Sequence, residues 1–400
     1  MHARAVPLAP LLALATLLAT LLAGCEEKKP AAAGAPAAPT PAAAAEEDGE
    51  IRFGEVSSLT GQEATFGQST RKGIALAVKE LNEAGGLLGK KIRVITYDDQ
   101  GKPTEAAAAA TRLIVQDKVH VLLGEVASAR SLAMAPIAQA NKVPMISHAS
   151  TNPRVTEGKD YVFRICFIDP FQGTVMARFA REHLELDKVA VLRDVRNDYS
   201  VGLANFFVES FRKLGGEVVG DQSYSAQDID FKAQLTALRT LKPQAIFVPG
   251  YYTDVGLIAR QARELGIDVP LLGGDGWDSA KLFEIGGDAL QGSFFSNHYS
   301  LEDPSPRIRA FVAAWEKEYG ERTPDALAAL GYDAVHIAAD AIRRAGSVEG
   351  EKVRDALART RDFAGVTGTI TIDEGRNAVK PAVVLKVENG RAVYAATVQP

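Results

Sequence analysis

The stretch Val119–Pro153, VHVLLGEVASARSLAMAPIAQANKVPMISHASTNP, decides the fold. Its two short apolar runs, Val119 to Leu123 and Val143 to Ile146, read as buried strands, and a helix of about thirteen residues starting near Ser128 joins them. Each strand runs into a loop of small and hydroxyl residues, Gly124 to Ser128 after the first and Ser147 to Thr151 after the second. In a parallel sheet both loops lie at the carboxyl edge, where open α/β sheets bind ligands. The two loops are therefore expected to face one pocket.

The residues of those loops limit what the pocket holds. Ser128 at a helix start places free backbone N–H groups and the positive end of the helix dipole beside a small anion such as a carboxylate. Ser150 and Thr151 add hydroxyls that donate or accept. No Lys or Arg lies between Ser147 and Thr151, and near Ser128 there is Arg130, so the pattern points to a small zwitterion rather than a polyphosphate. Taken singly, Ser128 reads equally as a helix cap and Ser150 and Thr151 as turn residues. The pairing of the two loops favours a site.

Residues 1–24 are read as a secretory leader: Arg4 precedes the apolar run Leu8 to Leu22, which is too short to span a bilayer and is followed by small residues. Leu22-Ala23-Gly24-Cys25 resembles the lipobox of bacterial lipoproteins, which implies cleavage before Cys25 and acylation of its sulfur. Several acyl chains anchor a protein to a membrane essentially permanently. Residues 25–50, rich in Ala and Pro and without aromatic or branched aliphatic side chains, form a disordered tether in this reading. With Cys25 acylated, Cys166 is the one remaining thiol, and its neighbours Ile165 and Phe167 mark it as a buried strand residue.

The remainder has a globular composition, 46% hydrophobic and 24% charged, with a net charge of −5 for the whole chain and no basic stripe, which argues against a nucleic-acid surface. From Ile51 the pattern alternates between strand and helix, and the alternation restarts after Phe167. About 350 residues exceed one comfortable core, so the expected architecture is α/β, two doubly wound parallel-sheet lobes with a ligand cleft between them. The tail is β-rich, with Val383 to Val387 and Ala392 to Val398 joined at Asn389-Gly390, a strong hairpin signal.

The second lobe offers its own strand-end candidates: Asp194 to Tyr199, Gly250 to Thr253, and Gly274 to Trp277. The first lobe adds Ser58, Thr60 and Phe66 after its first strand. A carboxylate between glycines, Asp275 in GGDGW, can point at an ammonium group while the glycines let backbone approach. Asp275 read alone is also a turn residue, and Tyr251 and Tyr252 also read as packing.

These motifs occur in a fixed order: GEVSSLTGQEATFGQ, NEAGGLLGKKI, YDDQGKP, LLGEVASARS, ISHASTNP, NDYSVGL, VPGYYTD, LLGGDGWDS and ALGYDAV. In that order they resemble the type I periplasmic binding proteins, in particular the leucine/isoleucine/valine-binding branch that serves ABC transporters. The resemblance covers Ile51 to Pro400. It implies that Ser128 and Thr151 hold a ligand α-carboxylate, that the Ala149 carbonyl meets the α-ammonium, and that Tyr251 and Tyr199 close over it. Asp275 falls where the best-known members carry Glu, and Phe66 where they carry Tyr; Trp277 either extends the aromatic surface or packs the lobe. The resemblance also implies lobe boundaries of 51–167 plus 297–377 and 168–296 plus 378–400. The expected partners are an amino acid, foremost Leu, Ile or Val, the permease and ATPase of an ABC transporter, and a membrane reached through Cys25, with the protein a monomer outside the cytoplasm.

Other classes fit less well. The sequence has no GxSxG, HExxH or paired-cysteine motif, no P-loop, and no metal-ligand spacing among His120, His148, His183, His298 and His336, so neither an enzyme nor a cofactor or metal is expected. A sensor of the same fold, binding an amide or another small molecule, is the alternative; the leader, lipobox and tether without a fused signalling domain favour delivery.

Overall fold

A computed structural model describes residues 49–400; the leader, Cys25 and the tether up to residue 48 lie outside the described residues. The first lobe is built from β1 (Glu50–Ser57), α1 (Ala64–Glu83), β2 (Lys91–Asp98), α2 (Pro103–Val115), β3 (Val121–Leu123), α3 (Ser128–Ala140), β4 (Met145–Ser147) and β5 (Val162–Arg164). Its five strands are parallel, in the order β2-β1-β3-β4-β5. Strands β3, β4 and β5 are short and wholly buried, as expected where helices cover both faces. Glu50, assigned to the tether from composition, is instead the first residue of β1 and pairs with Lys91.

The second lobe begins with α4 (Asp169–Arg178) and continues through β6 (Lys188–Asp194), α5 (Asp198–Lys213), β7 (Glu217–Tyr224), α6 (Lys232–Thr240), β8 (Ala245–Phe247), α7 (Tyr252–Glu264), β9 (Leu271–Gly273), α8 (Ala280–Gly286) and β10 (Phe294–Asn297). The chain then returns to the first lobe with α9 (Pro306–Tyr319), α10 (Ala326–Ala345) and α11 (Gly350–Ala358). A small sheet, β11 (Phe363–Gly365), β12 (Gly368–Ile372) and β13 (Ala378–Val379), leads to β14 (Ala382–Glu388) and β15 (Arg391–Val398). The second sheet runs β15-β14-β10-β9-β8-β6-β7 and is mixed, because β14 lies antiparallel to both β10 and β15. The hairpin turns at Asn389 and Gly390, both at positive φ.

Helix α10 docks on α1 through glycines. A Cβ on Gly73 would stand 1.9 Å from the Ala328 carbonyl oxygen, and one on Gly331 would stand 2.6 Å from that of Thr70. Two larger residues there would push the helices apart, and with them Leu327 at the start of α10. Gly124, first in the loop after β3, sits at φ +131°, with the Val56 carbonyl oxygen 2.5 Å from where a Cβ would be.

Several local expectations are corrected. Ser128 is the first residue of α3 and its cap position is taken by Ala127; at α2, where the sequence places Thr104 as the cap of a helix over 104–117, the helix instead opens on Pro103 and ends at Val115. Where the sequence pattern predicts one helix over 170–186, the structure has α4 followed by a wider turn, Phe179–His183. Strands β10 to β13 and helix α8 were not anticipated. Cys166 is buried, two residues beyond β5 rather than within it, and burial pushes its thiol up to about 12.

Candidate ligand-binding site

The strand-end loops of the two lobes converge on one cavity. Phe66, Val126, Ala149 and Leu327 line it from the first lobe, and Tyr199, Tyr251, Asp275 and Gly276 from the second. The cavity among these side chains has a volume of about 10 Å³, about what one water fills. Pockets that enclose a small-molecule ligand are far larger, roughly 300–1,000 Å³ for drug-sized ones, so the lobes must part to admit a guest. Wider grooves lie elsewhere on the surface, but this cavity is the one at the carboxyl ends of both sets of parallel strands.

The second-lobe wall is aromatic with one acid. Tyr199 stands in the first turn of α5, whose cap Asn197 accepts the Tyr199 N–H at 3.0 Å. Its ring stacks on Tyr251 at 5.2 Å and 13°, and its hydroxyl accepts the Gly276 N–H at 3.1 Å. Asp275 opens a short 3-10 turn, Asp275–Trp277. The Gln172 amide donates to its Oδ1 at 2.7 Å, and the His298 imidazole, with its proton on Nε2, to Oδ2 at 3.0 Å. His298 stacks on Phe167 with centroids 3.9 Å apart, and burial holds its pKa below the ordinary value despite the acid, so it donates as a neutral ring.

The first-lobe wall is apolar, over a hydroxyl layer. Ser150 Oγ lies 2.9 Å from the Glu125 carbonyl, 3.0 Å from that of Val126 and 2.7 Å from Ser131 Oγ, and Ser147 Oγ donates to Glu125 O at 2.9 Å. Ser128 Oγ accepts the Asn152 N–H at 3.2 Å. These bonds tie the loop after β3 to the loop after β4. Beneath them Arg130, 4% exposed, donates to Glu125 at 2.8 Å and to the Gly101 carbonyl at 3.2 Å, and lies 4.0 Å from Asp99 and 3.4 Å from Glu63. Burial by itself would raise Glu125, but Arg130 brings it below the usual range. Asp99 is pushed up to about 7, by burial and then by the charge of Glu125.

Of the sequence-derived candidates, Phe66, Ala149, Tyr199, Tyr251 and Asp275 are brought together on the cavity. Ser128, Ser150 and Thr151 are buried just behind it, and the Thr151 hydroxyl makes no hydrogen bond of normal geometry. Trp277 is placed away from it: its indole N–H donates to the Val248 carbonyl at 3.0 Å and its ring packs toward Phe295. The 3-10 turn causes this, since residues two apart there point some 240° apart, so Asp275 faces the cavity and Trp277 the core. Sequence reasoning missed Val126, Gly276 and Leu327 on the walls, and Gln172 and His298 behind Asp275. Val126 and Gly276 lay inside quoted motifs; nothing local marked the other three.

Contacts between the lobes frame the cavity. Tyr252 Oη donates to the Gln62 carbonyl at 2.8 Å and Thr253 Oγ1 to the same oxygen at 3.0 Å. Thr65 and Ser279 hydroxyls meet at 2.9 Å, and Asn152 Nδ2 donates to the Asp198 carbonyl at 2.8 Å. The Phe66 ring stands edge-on to Tyr251 at 5.5 Å and to Tyr252 at 5.0 Å.

Comparison with known proteins agrees with this architecture. Residues 50–392 match the family model described as periplasmic binding protein. The chain is 30% identical over 347 residues to a Leu/Ile/Val-binding protein homolog of Brucella melitensis, covering 86% of this chain and 93% of that one. A leucine-binding protein, LivK, from Thermotoga maritima is 45% identical with a TM-score of 0.84, covering 88% of this chain and 99% of its own. The branched-chain amino acid transporter binding protein LivJ from Streptococcus pneumoniae, solved with isoleucine, is 36% identical with a TM-score of 0.83, covering 88% of this chain and 100% of its own. With the match running through nearly all the described residues and the cleft lying between two α/β lobes, the chain belongs to the periplasmic binding protein family.

Proposed function

We propose that the cavity captures an α-amino acid with an apolar side chain, foremost leucine, isoleucine or valine, and that the protein delivers it to an ABC permease without chemical change. The observation that carries this is a single carboxylate, Asp275, on otherwise apolar and aromatic walls: an ammonium group has one counter-charge and the side chain has the rest. In this reading the ligand carboxylate meets the hydroxyls and N–H groups at Ser128 and Thr151, and the Ala149 carbonyl adds to the ammonium site. Phe66, Val126 and Leu327 face the side chain. One methylene in such a pocket is worth about 1–3 kcal/mol, so the three amino acids are expected to be weakly separated. The relatives that bind leucine or isoleucine support the choice of cargo.

Closure follows from the contacts between the lobes. A ligand that touches both walls favours the closed arrangement by its extra affinity for it, and the closed form presents one surface for a membrane partner to read. In this reading an acylated Cys25 holds the protein, as a monomer, at the outer side of a membrane; fatty-acid labelling lost in Cys25→Ser tests that. The test of the cargo is calorimetric titration with the twenty amino acids after a thermal-shift screen, in which a ligand at one hundred times its Kd stabilises by about 2.7 kcal/mol. Asp275→Asn is expected to weaken amino acid binding by roughly 2–5 kcal/mol, about thirtyfold or more; a change below twofold overturns the contact. The rings of Phe66, Tyr199 and Tyr251 favour a second reading, an aromatic amino acid or amide, and the same screen separates the two.

A further inference from the structure

On the first lobe, sharing no residue with the ligand cavity, a groove of about 550 Å³ runs between α10, the end of α11 and β11. Five arginines line it, Arg307, Arg343, Arg344, Arg359 and Arg361, against two acids, Asp340 and Asp362. This excess of three positive charges stands on a chain whose net charge is −5.

Two of the arginines have structural partners. Arg344 donates to Asp340 at 2.7 Å and to the Ala356 carbonyl at 2.6 Å, and Arg361 holds the carbonyls of Ala358, Thr360 and Ile372 at 2.7–3.0 Å. Among the described residues, Arg307, Arg343 and Arg359 form no ion pair. Helix dipoles account for part of this: Arg343 is in the last turn of α10 and Arg359 caps the end of α11, where cations are favourable. Arg307 is the exception. It is the second residue of α9, at the positive end of the dipole, and it lines the groove with the other arginines. His336, also in the groove, lies 4.0 Å from Glu80 and is held near 4 by burial and then by the charges of Arg343 and Arg307, which leaves the ring uncharged. Local helix stability does not account for Arg307, whose side chain is exposed at the groove.

We infer that this groove is a second binding site, for a phosphate-class oxyanion carrying at least two negative charges. Planar guanidinium forks match phosphate oxygens in pairs, and three unpaired forks exceed what a single-charge ion needs. Because the whole chain is negative, general attraction of anions does not supply the binding. The guest is either a free phosphate compound or the headgroup of an anionic lipid beside the protein, and the test separates them.

The purified protein is titrated calorimetrically with inorganic pyrophosphate at 50 and 200 mM salt, and sedimented with vesicles of phosphatidylglycerol or of phosphatidylcholine. The variant is Arg307→Gln with Arg343→Gln, chosen because neither residue has a partner inside the fold; unchanged amino acid affinity reports that it remains folded. Saturable one-to-one pyrophosphate binding, weakened at least tenfold in the double variant and weaker at the higher salt, supports a soluble guest. Sedimentation with phosphatidylglycerol vesicles, lost in the variant, supports a headgroup. No binding of either kind, or binding that the double variant leaves within twofold, overturns the site.

Discussion

The two walls of the ligand cavity are made differently. On the first lobe Ser147, Ser150 and Ser131 face inward to the protein and join the loops after β3 and β4, over Arg130 and its carboxylates. On the second lobe the polar group faces the cavity, and Asp275 is held from behind by Gln172 and His298. The first wall is a surface stiffened from below; the second is an acid aimed from behind. Damage to the layer beneath the first should therefore register as stability, and damage to the acid of the second as affinity.

The largest expected effect is on the first wall. Arg130→Met leaves Glu125 and Asp99 buried without their cation, and breaking such a pair costs about 3–5 kcal/mol. Urea unfolding should show a loss of that size. A stability unchanged within about 1 kcal/mol would mean that water reaches the cluster and the wall is not stiffened by it. Asp275→Asn is the counterpart on the second wall. Asn can still accept from Gln172 and donate to a His298 ring in its other tautomer, so unfolding should change by less than about 1 kcal/mol while amino acid affinity falls as proposed above. If both variants lose stability and neither loses affinity selectively, the contrast between the walls fails.

Asp169, the first residue of α4, bonds the Thr151 carbonyl through its N–H at 2.9 Å, and its two side-chain oxygens are buried and have no hydrogen-bond partner of normal geometry. Burial pushes its carboxyl up to about 8, with the nearby Thr151 hydroxyl pulling it down and the charge of Asp275 raising it. The folded state thus keeps a proton that the unfolded chain, with a value near 3.8, has released. Stability from this group is complete below the unfolded value and is lost as pH rises toward 8. Asp169→Asn should flatten that decline and raise stability at pH 8 by about 1–3 kcal/mol. Unfolding midpoints at pH 5 and pH 8 measure it; an equal change at both pH values would show that the acid is not titrating in the fold.

How much of this was legible in the sequence depended on whether a residue's role was local. The order of strands and helices from Ile51 to Gly273 is a local property and was read correctly, because short apolar runs and helical periodicity are written in neighbouring residues; element ends were misplaced where no side chain caps the helix, as at α2 and α4. Strand β10, Phe294–Asn297, was missed: its four residues, FFSN, neither alternate nor form a long apolar run, and its place is fixed by pairing with β9 and β14. The cavity followed the same rule. Phe66, Ala149, Tyr199, Tyr251 and Asp275 stand in strand-end loops or the first turns of helices that a parallel sheet gathers at one edge. Gln172 and His298 lie on a helix and just past a strand, and only the tertiary fold brings them behind Asp275. Trp277 was ambiguous for a geometric reason, since its direction relative to Asp275 is set by one turn of 3-10 helix.

The smallest expected effect concerns the seam where the two walls meet, and it tests whether closing is separable from holding. Tyr252 Oη donates to the Gln62 carbonyl across the cleft at 2.8 Å, while the Tyr252 ring stays edge-on to Phe66. Tyr252→Phe removes the hydrogen bond and keeps the ring, so the change falls on a contact that exists only when the lobes are together. A single neutral hydrogen bond contributes about 0.5–1.5 kcal/mol, and Thr253 Oγ1 still reaches the same carbonyl, which favours the low end. The ligand should enter the open cleft at an unchanged rate and leave about two- to tenfold faster, because only the closed population is reduced. Stopped-flow binding with the amino acid identified by titration reads both rates. A slower association with unchanged dissociation would place Tyr252 in the entry step, and would mean that the second wall receives the ligand before the first one closes on it.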